Sequence, residues 1–311
     1  MNKKGLEMSF QWIFAIVVGI AILLLAVYAT IRFMGLGEQA TSVVVSKEIG
    51  ILLNPLETSF ESAKKTSFAL PSNTRIYNGC DNSGVFGKQK ISVSQESFGK
   101  WPETDVNAVS FQNKYIFSED PIEGKKFYIF SKPFKFPFKI ADLVYLTSSK
   151  YCFINAPEEI AEELNSTALS QENLLTENCK DLEDAIKVCF GSGSDCDVKV
   201  NYNEEDKNGY VEKADEKINF ETDALMYAAI FSKPAVYECH TKRLMQRGLV
   251  LALLYKSKAS FTECGSNLKN DLSSLKTQME SFDNSGSLRF IAELAKDIEN
   301  KNENNRVCRL W

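Results

Sequence analysis

One uncharged stretch near the N-terminus constrains this chain more than any other feature of its sequence. The run from Ile13 to Ile31 contains no charged residue and is long enough to cross a hydrocarbon core of about 30 Å as a helix. Trp12 precedes the run, at a position where amphipathic rings favour the membrane interface. Because Lys3 and Lys4 outweigh the single Arg32, the N-terminus is expected to stay in the cytoplasm. The sequence therefore predicts a single-pass anchor in the cell membrane, with the remainder of the chain extracellular.

Two other interpretations of this segment stay open. A signal peptide would be cut after Ala29, although the apolar run is longer than such peptides normally have. The basic pair and glycine of Lys3-Lys4-Gly5, followed by the apolar run, resemble the class III signal peptides of archaeal type IV pilins and related surface proteins. That resemblance implies cleavage after Gly5, with the helix from Leu6 onwards kept for membrane insertion and assembly. The same opening segment also resembles single-pass proteins of small-genome archaea. That resemblance does not point to any particular activity.

The cysteines indicate an oxidising compartment. All of them follow the predicted anchor, and an even number on the exterior side favours a disulfide framework. Cys189 and Cys196 flank a turn-rich stretch and are predicted to close one hairpin, while Cys264 and Cys308 bracket the last two predicted helices. No two cysteines have the close spacing of a zinc site, so neither a metal nor a cofactor is expected. The predicted disulfide residues are Cys80, Cys152, Cys179, Cys189, Cys196, Cys239, Cys264 and Cys308.

Charge and motifs exclude several classes of function. With 36 Lys+Arg against 41 Asp+Glu the chain is acidic, which argues against nucleic acid as a partner. The single histidine, His240, leaves little room for His-based metal hydrolases, and we interpret it as either a structural residue or a surface tip. Motifs such as G-x-S-x-G, H-E-x-x-H and the phosphate-binding loop are absent. Paired glutamates such as Glu158-Glu159 and Glu204-Glu205 are interpreted as solvated surface, and no enzymatic activity is predicted.

The chain divides into five predicted segments. These are a cytoplasmic N-terminus (1–12), a transmembrane helix (13–33), an amphipathic helical stalk (34–72), a β-rich exterior block (73–155) and a mixed, then helical, exterior block (156–311). The predicted fold class is α+β, with an antiparallel β-rich block followed by C-terminal helices and stabilised by disulfides. In the stalk, apolar residues recur every three or four positions. The stalk either continues the membrane helix outward or packs as a helix on the exterior domain.

Periodicity locates the elements of the exterior part. Short apolar stretches between turn residues predict strands at Thr74–Tyr77, Gln89–Ser94, Val106–Ser110, Lys114–Phe117, Lys126–Phe130, Leu143–Thr147 and Tyr151–Ile154. Helical spacing predicts helices at Glu158–Leu164, Thr222–Phe231, Ala235–Tyr255, Asn267–Phe282 and Ser287–Asn300. Pro133 to Lys139 places three phenylalanines on one face of an extended segment that its prolines confine to an edge. Those rings form either an exposed docking strip or part of the core.

Three functions remain open at this stage. The first is a non-enzymatic cell-surface protein, pilin-like or an accessory of an envelope assembly, whose partners are the lipid bilayer and other membrane or surface proteins, including copies of itself. The second is an extracellular ligand-binding or adhesion module, and the third is an extracytoplasmic hydrolase. Asn165-Ser166-Thr167 is an acceptor sequon, so Asn165 is a candidate glycosylation site in an extracellular protein.

Overall fold

A computed structural model describes residues 12, 14–30, 64–96, 101, 108–166, 169–179, 182, 184–191, 193, 195–262, 265–305 and 309–311. Residues 14–30 are helical, and their large apolar side chains are exposed. Among all the described residues, no helix combines the length and the apolar character needed to cross a membrane. The predicted cytoplasmic N-terminus, the cleavage site at Gly5 and Leu6, and the stalk up to residue 63 lie outside the described residues.

The first sheet has six strands in the order β3-β2-β1-β5-β6-β4. Neighbouring strands are antiparallel except β4 and β6, which are parallel. Alternation of buried and exposed residues, as in β2, lets one face of each strand pack inward. The strands are β1 (Lys64–Asp81), β2 (Lys88–Gln95), β3 (Val109–Phe111), β4 (Ile116–Phe117), β5 (Ile122–Lys135) and β6 (Lys139–Thr147).

The start of β1 differs from the sequence prediction. Residues 64–72, which we predicted as the end of a helical stalk, form the first half of this long strand. From Lys64, opposite Ser131, the strand pairs with β5, and its register shifts between Ala69 and Thr74. The Phe68 ring stacks on Phe127 with centroids 5.2 Å apart. Tertiary pairing with β5 therefore overrides the helical spacing, because strand propensity depends strongly on the neighbouring surface.

The second sheet is mixed and crosses a predicted boundary. Its order is β12-β11-β10-β9-β7-β8, with parallel pairs from β10 through β8 and antiparallel pairs from β10 to β12. Because β7 belongs to this sheet, the predicted division at residue 155 cuts through it. The parallel pairs of β7 depart from the mostly antiparallel arrangement that was expected for the block 73–155. The strands are β7 (Lys150–Ile154), β8 (Leu174–Leu175), β9 (Ala185–Phe190), β10 (Val198–Asn203), β11 (Asn208–Lys213) and β12 (Glu216–Phe220), and helix α1 (Glu158–Asn165) follows β7.

A fully apolar helix joins the two sheets. Helix α2 (Asp223–Phe231) is buried along nearly its whole length and contacts β5 and β6 of one sheet and β11 and β12 of the other. A helix that is apolar all round needs protein on every side, which explains this central position. Thr222 caps its N-terminus by accepting a hydrogen bond from the Leu225 N–H at 3.2 Å.

Three further helices confirm the predicted helical C-terminal part. They are α3 (Pro234–Phe261), α4 (Lys269–Glu280) and α5 (Leu288–Glu303). Helix α3 crosses the first sheet and packs closely on α4 at Gly248, where a Cβ atom would lie 2.9 Å from Ile140 Cδ1 and from Met279 Sδ. One large core cluster combines residues of both sheets and of helices α1 to α5.

Candidate functional site

A polar cleft opens between the β5–β6 turn, the β10–β11 turn and helix α5. Its volume is about 220 Å³. Phe136 and Pro137 of the β5–β6 turn form its apolar side, and Ala292 and Ala295 of α5 lie opposite. Charged side chains surround this apolar strip and come from Lys135, Asp206, Glu221, Arg289, Glu293, Lys296 and Glu299. The cleft is thus a concave site with a small apolar surface surrounded by charged groups.

Ion pairs already satisfy part of the charge in the cleft. Lys296 Nζ lies 3.0 Å from Asp206 Oδ1, which joins α5 to the β10–β11 turn. Arg289 Nε lies 3.2 Å from Glu293 Oε1 within α5. Both pairs are exposed, so each contributes only about 0–1 kcal/mol to stability.

Two carboxyl groups in the cleft are poorly solvated. Burial raises the pKa of Glu221, and the nearby Glu293 and Asp206 carboxylates raise it further. A hydrogen bond with Asn208 acts in the opposite direction and lowers this pKa. Burial also raises the pKa of Glu299. A carboxylate with a raised pKa gains most from a ligand that brings a positive charge or hydrogen-bond donors. The arrangement therefore suits an amine or a polyhydroxylated molecule.

Sequence reasoning did not find this cleft. It interpreted Glu204-Glu205, next to Asp206, as solvated surface, and it predicted Ser287–Asn300 as a helix without assigning a role to its charged residues. The three walls of the cleft and the β12–α2 connection that carries Glu221 are distant in sequence, and no local pattern reports that they meet. The spacing of Arg289, Glu293 and Lys296 on one side of a helix was the one available signal.

The three phenylalanines of the Pro133–Lys139 segment belong to the core. Phe134, Phe136 and Phe138 are nearly fully buried, which rules out the exposed docking strip. Pro133 lies in β5 opposite Asp142, and β1 begins at Lys64 opposite Ser131, so it does not extend beside Pro133. Within the described residues, β5 is therefore locally an edge at Pro133, where the missing N–H costs no ladder bond.

The single histidine lies in a buried polar cluster. His240 and Arg243 of α3 are both fully buried. The Arg243 guanidinium donates hydrogen bonds to the carbonyl oxygens of Phe86, Gln112 and Lys114 at 2.9–3.0 Å. It also stacks over the Tyr115 ring, 4.7 Å from the centroid. This side chain therefore connects α3 to two loops of the first sheet.

The chemistry of this cluster is structural. Arg243 Nη1 lies 2.9 Å from His240 Nδ1 and can only donate, so Nδ1 accepts and the imidazole proton is on Nε2. Nε2 is buried and has no hydrogen-bond partner among the described residues. Burial, together with the Arg243 charge, lowers the pKa of His240 well below its ordinary value. A neutral, enclosed imidazole beside a disulfide is a packing residue and not a surface tip.

Three disulfides account for every described cysteine. They join Cys80 to Cys239, Cys152 to Cys179 and Cys189 to Cys196. The predicted Cys189–Cys196 pair is confirmed, but it closes a loop between parallel strands and not a hairpin. Cys264 and Cys308 lie outside the described residues.

The other predicted surface positions are exposed. Asn165 is at the C-terminal end of α1, and its side-chain amide donates to Thr176 Oγ1 at 3.1 Å. Glu158, Glu159, Glu204 and Glu205 are solvent-exposed. Glycan attachment at Asn165 stays a prediction.

The donor groups needed for a metal site do not come together in the part of the chain described here. Groups of three or more His, Cys, Asp or Glu side chains placed to hold a metal ion are absent from it. The three disulfides occupy the described sulfur atoms, and His240 is enclosed. Comparison of the chain with protein-family models, with curated proteins and with solved structures gives no match.

Proposed function

We propose that this chain is a single-pass, membrane-anchored protein of the cell surface that acts through protein–protein contact and not through catalysis. The apolar run Ile13–Ile31 carries the proposal, since the helical residues 14–30 within it leave their large side chains exposed. Such a surface needs a lipid or protein environment to cover it. The three disulfides of the body support an extracytoplasmic location.

Pilin-like processing belongs to the same proposal. The basic pair before Gly5 supports cleavage between Gly5 and Leu6, and copies of the chain would then associate through the retained helix. Other membrane or surface proteins are the alternative partners. The acidic net charge of −5 supports partners other than nucleic acid.

The mass of the native, non-reduced protein tests the proposal. Cells are separated into membrane and soluble fractions, and the N-terminal residue and the intact mass are measured. We expect the chain in the membrane fraction, beginning at Leu6 if it is processed like a pilin or at Met1 or Asn2 if it is a plain signal anchor. A loss of about eight hydrogens relative to the reduced protein would show four disulfides, which adds a Cys264–Cys308 pair. A soluble chain beginning at Thr30 would refute the membrane anchor.

The polar cleft favours a second candidate function, that of an extracellular ligand-binding module. Its apolar strip and the raised pKa values of Glu221 and Glu299 support binding of an amine or a polyol. Thermal unfolding of the full chain with such compounds tests this, because a ligand that binds only the folded state raises Tm. We expect Glu221→Gln to abolish the shift and Glu280→Gln, outside the cleft, to preserve it. A shift that is unchanged in Glu221→Gln would place binding elsewhere.

A further inference from the structure

The second half of α3 exposes an apolar surface. Val250, Leu253, Leu254 and Phe261 project from it, and Leu254 is 62% and Phe261 90% exposed. Their spacing of three, four and seven residues places them on one side of the helix. We call these four residues the α3 face. Outside the N-terminal helical residues, the other large apolar side chains exposed in the described part of the chain are Val85 and Phe290.

The charged residues in the second half of α3 have one sign. From Leu244 to Phe261 the charged residues are Arg247, Lys256 and Lys258, and no acidic residue occurs. A second copy packed against this face would bring basic side chains opposite basic ones, which is unfavourable. The occupant that fits is an amphipathic segment with an acidic polar side.

The chain contains a segment of this kind. Between Val44 and Glu61 the apolar residues recur at helical spacing, and one lysine stands against three glutamates, which gives a net charge of −2. The apolar residues that recur at this spacing are Val44, Ile49, Leu52, Leu53, Leu56 and Phe60. Both the apolar pattern and the sign of the charge complement the α3 face.

Sheet topology brings the two together. Lys64 begins β1 opposite Ser131 of β5, so the chain enters the sheet at the end where β5 turns into β6. The second half of α3 runs toward the same end of the sheet. Its Gly248 lies against Ile140 near the start of β6, and its Tyr255 ring packs on Phe138 in the β5–β6 turn. The few residues between Phe60 and Lys64 span up to about 14 Å when extended. A tethered segment also binds at a high effective concentration.

We propose that the α3 face is the intramolecular docking site for the segment Val44–Glu61. This contact would connect the N-terminal anchor to the folded body through α3, and it does not depend on whether the anchor enters a bilayer. The docked segment would then cover the exposed apolar side chains of the α3 face.

Hydrogen–deuterium exchange of the full chain in detergent micelles tests the proposal. We expect backbone amides of residues 44–61 to exchange slowly in the native chain, and about a hundredfold faster in the double variant Leu254→Glu/Phe261→Glu. Phe290→Glu on α5 is the matched control, because it places a glutamate at another exposed phenylalanine outside the α3 face, and it should keep the slow exchange. Circular dichroism and intact disulfides show that each variant is folded.

A zero-length carbodiimide cross-link provides the second measurement. Docking predicts amide bonds from Glu57 or Glu61 to Lys256 or Lys258, lost in the double variant and kept in Phe290→Glu. Equally fast exchange of residues 44–61 in all three proteins would overturn the proposal, as would slow exchange that the double variant does not change. Protection that rises with protein concentration would identify a second copy as the occupant and would also overturn it.

Discussion

At the scale of single residues, the buried pair of His240 and Arg243 shows how one helix is fixed to a sheet. Arg243 donates hydrogen bonds to three carbonyl oxygens and to the Nδ1 atom of His240. None of these four partners is a carboxylate. A buried guanidinium is costly unless all of its donors are used. The pair is therefore sensitive both to substitution and to pH.

Stability should fall in mild acid because His240 resists protonation. Its folded-state pKa lies well below the ordinary value of about 6.5, so below that pH the unfolded chain binds a proton that the folded chain does not. The free energy of unfolding is then highest above pH 6.5 and falls by up to about 1.4 kcal/mol per pH unit below it. Urea unfolding between pH 8 and pH 5 measures this slope.

His240→Gln is the matched variant, because its side-chain oxygen can still accept from Arg243 while nothing titrates. The difference between the two proteins isolates the histidine from the carboxyl groups. The single imidazole also gives one unobscured NMR signal. A signal that titrates near pH 6.5 would contradict the buried, neutral state.

Arg243→Lys should destabilise the protein strongly. Lysine cannot reach the carbonyls of Phe86, Gln112 and Lys114 together, so buried acceptors lose their partners at about 1–3 kcal/mol each. We expect a loss of about 3 kcal/mol or more in urea unfolding. Arg289→Lys, at an exposed arginine of α5, should change stability by less than about 0.5 kcal/mol. Equal effects of the two substitutions would mean that the carbonyl contacts contribute nothing.

At the scale of elements, the β9–β10 connection has an unusually tight geometry. The two strands are parallel, although only residues 191–197 join them, and parallel strands normally need a crossover of about a dozen residues or more. The Cys189–Cys196 disulfide closes this loop, and Asp197 Oδ2 accepts from the Lys187 N–H at 2.7 Å. Gly193 lies against the disulfide, where a Cβ atom would be 2.6 Å from Cys196 Sγ.

Gly193→Ala should therefore destabilise the oxidised protein by about 1–2 kcal/mol, because the new methyl group overlaps the disulfide. In a Cys189→Ala/Cys196→Ala background the disulfide sulfur atoms are absent. The loss of stability caused by Gly193→Ala should then fall below about 0.5 kcal/mol. A double-mutant cycle in urea measures this coupling. Additive effects would show that the glycine is required for another reason.

The elements themselves divide into predictable and unpredictable ones. The four C-terminal helical stretches were predicted because their apolar spacing, the Thr222 cap and the Asp283–Gly286 break are local signals. The start of β1 and the pairing of β9 with β10 were not, because partner strands far away in sequence decide them. The same holds for the cleft, whose three walls come from separate parts of the chain.

At the scale of the whole molecule, the disulfides connect different layers. Cys80–Cys239 ties β1 of the first sheet to α3 across 159 residues, whereas Cys189–Cys196 closes a loop with a separation of only 7. In the chain-entropy model, a longer closed loop removes more freedom from the unfolded chain. The first disulfide should therefore contribute more to global stability than the second.

Replacing the cysteines in pairs tests this order. We expect Cys80→Ala/Cys239→Ala to lower the free energy of unfolding by about 5 kcal/mol and Cys189→Ala/Cys196→Ala by about 2 kcal/mol, both measured in urea without reductant. If removing the Cys189–Cys196 disulfide lowers the free energy of unfolding more than removing Cys80–Cys239, native contacts and not unfolded-state entropy dominate the effect of these disulfides.

The sequence by itself determined the apolar N-terminal run, the α+β class, the helical C-terminal part and the Cys189–Cys196 pair. Each of these depends on residues close together in the chain, where charge, spacing and turn chemistry act directly. Only the tertiary structure decided that α2 lies between two mixed sheets, that Arg243 is buried and that a polar cleft and an apolar α3 face are exposed. Those features depend on which distant surfaces meet, and the free energy of burial acts on the assembled surface, not on any one segment.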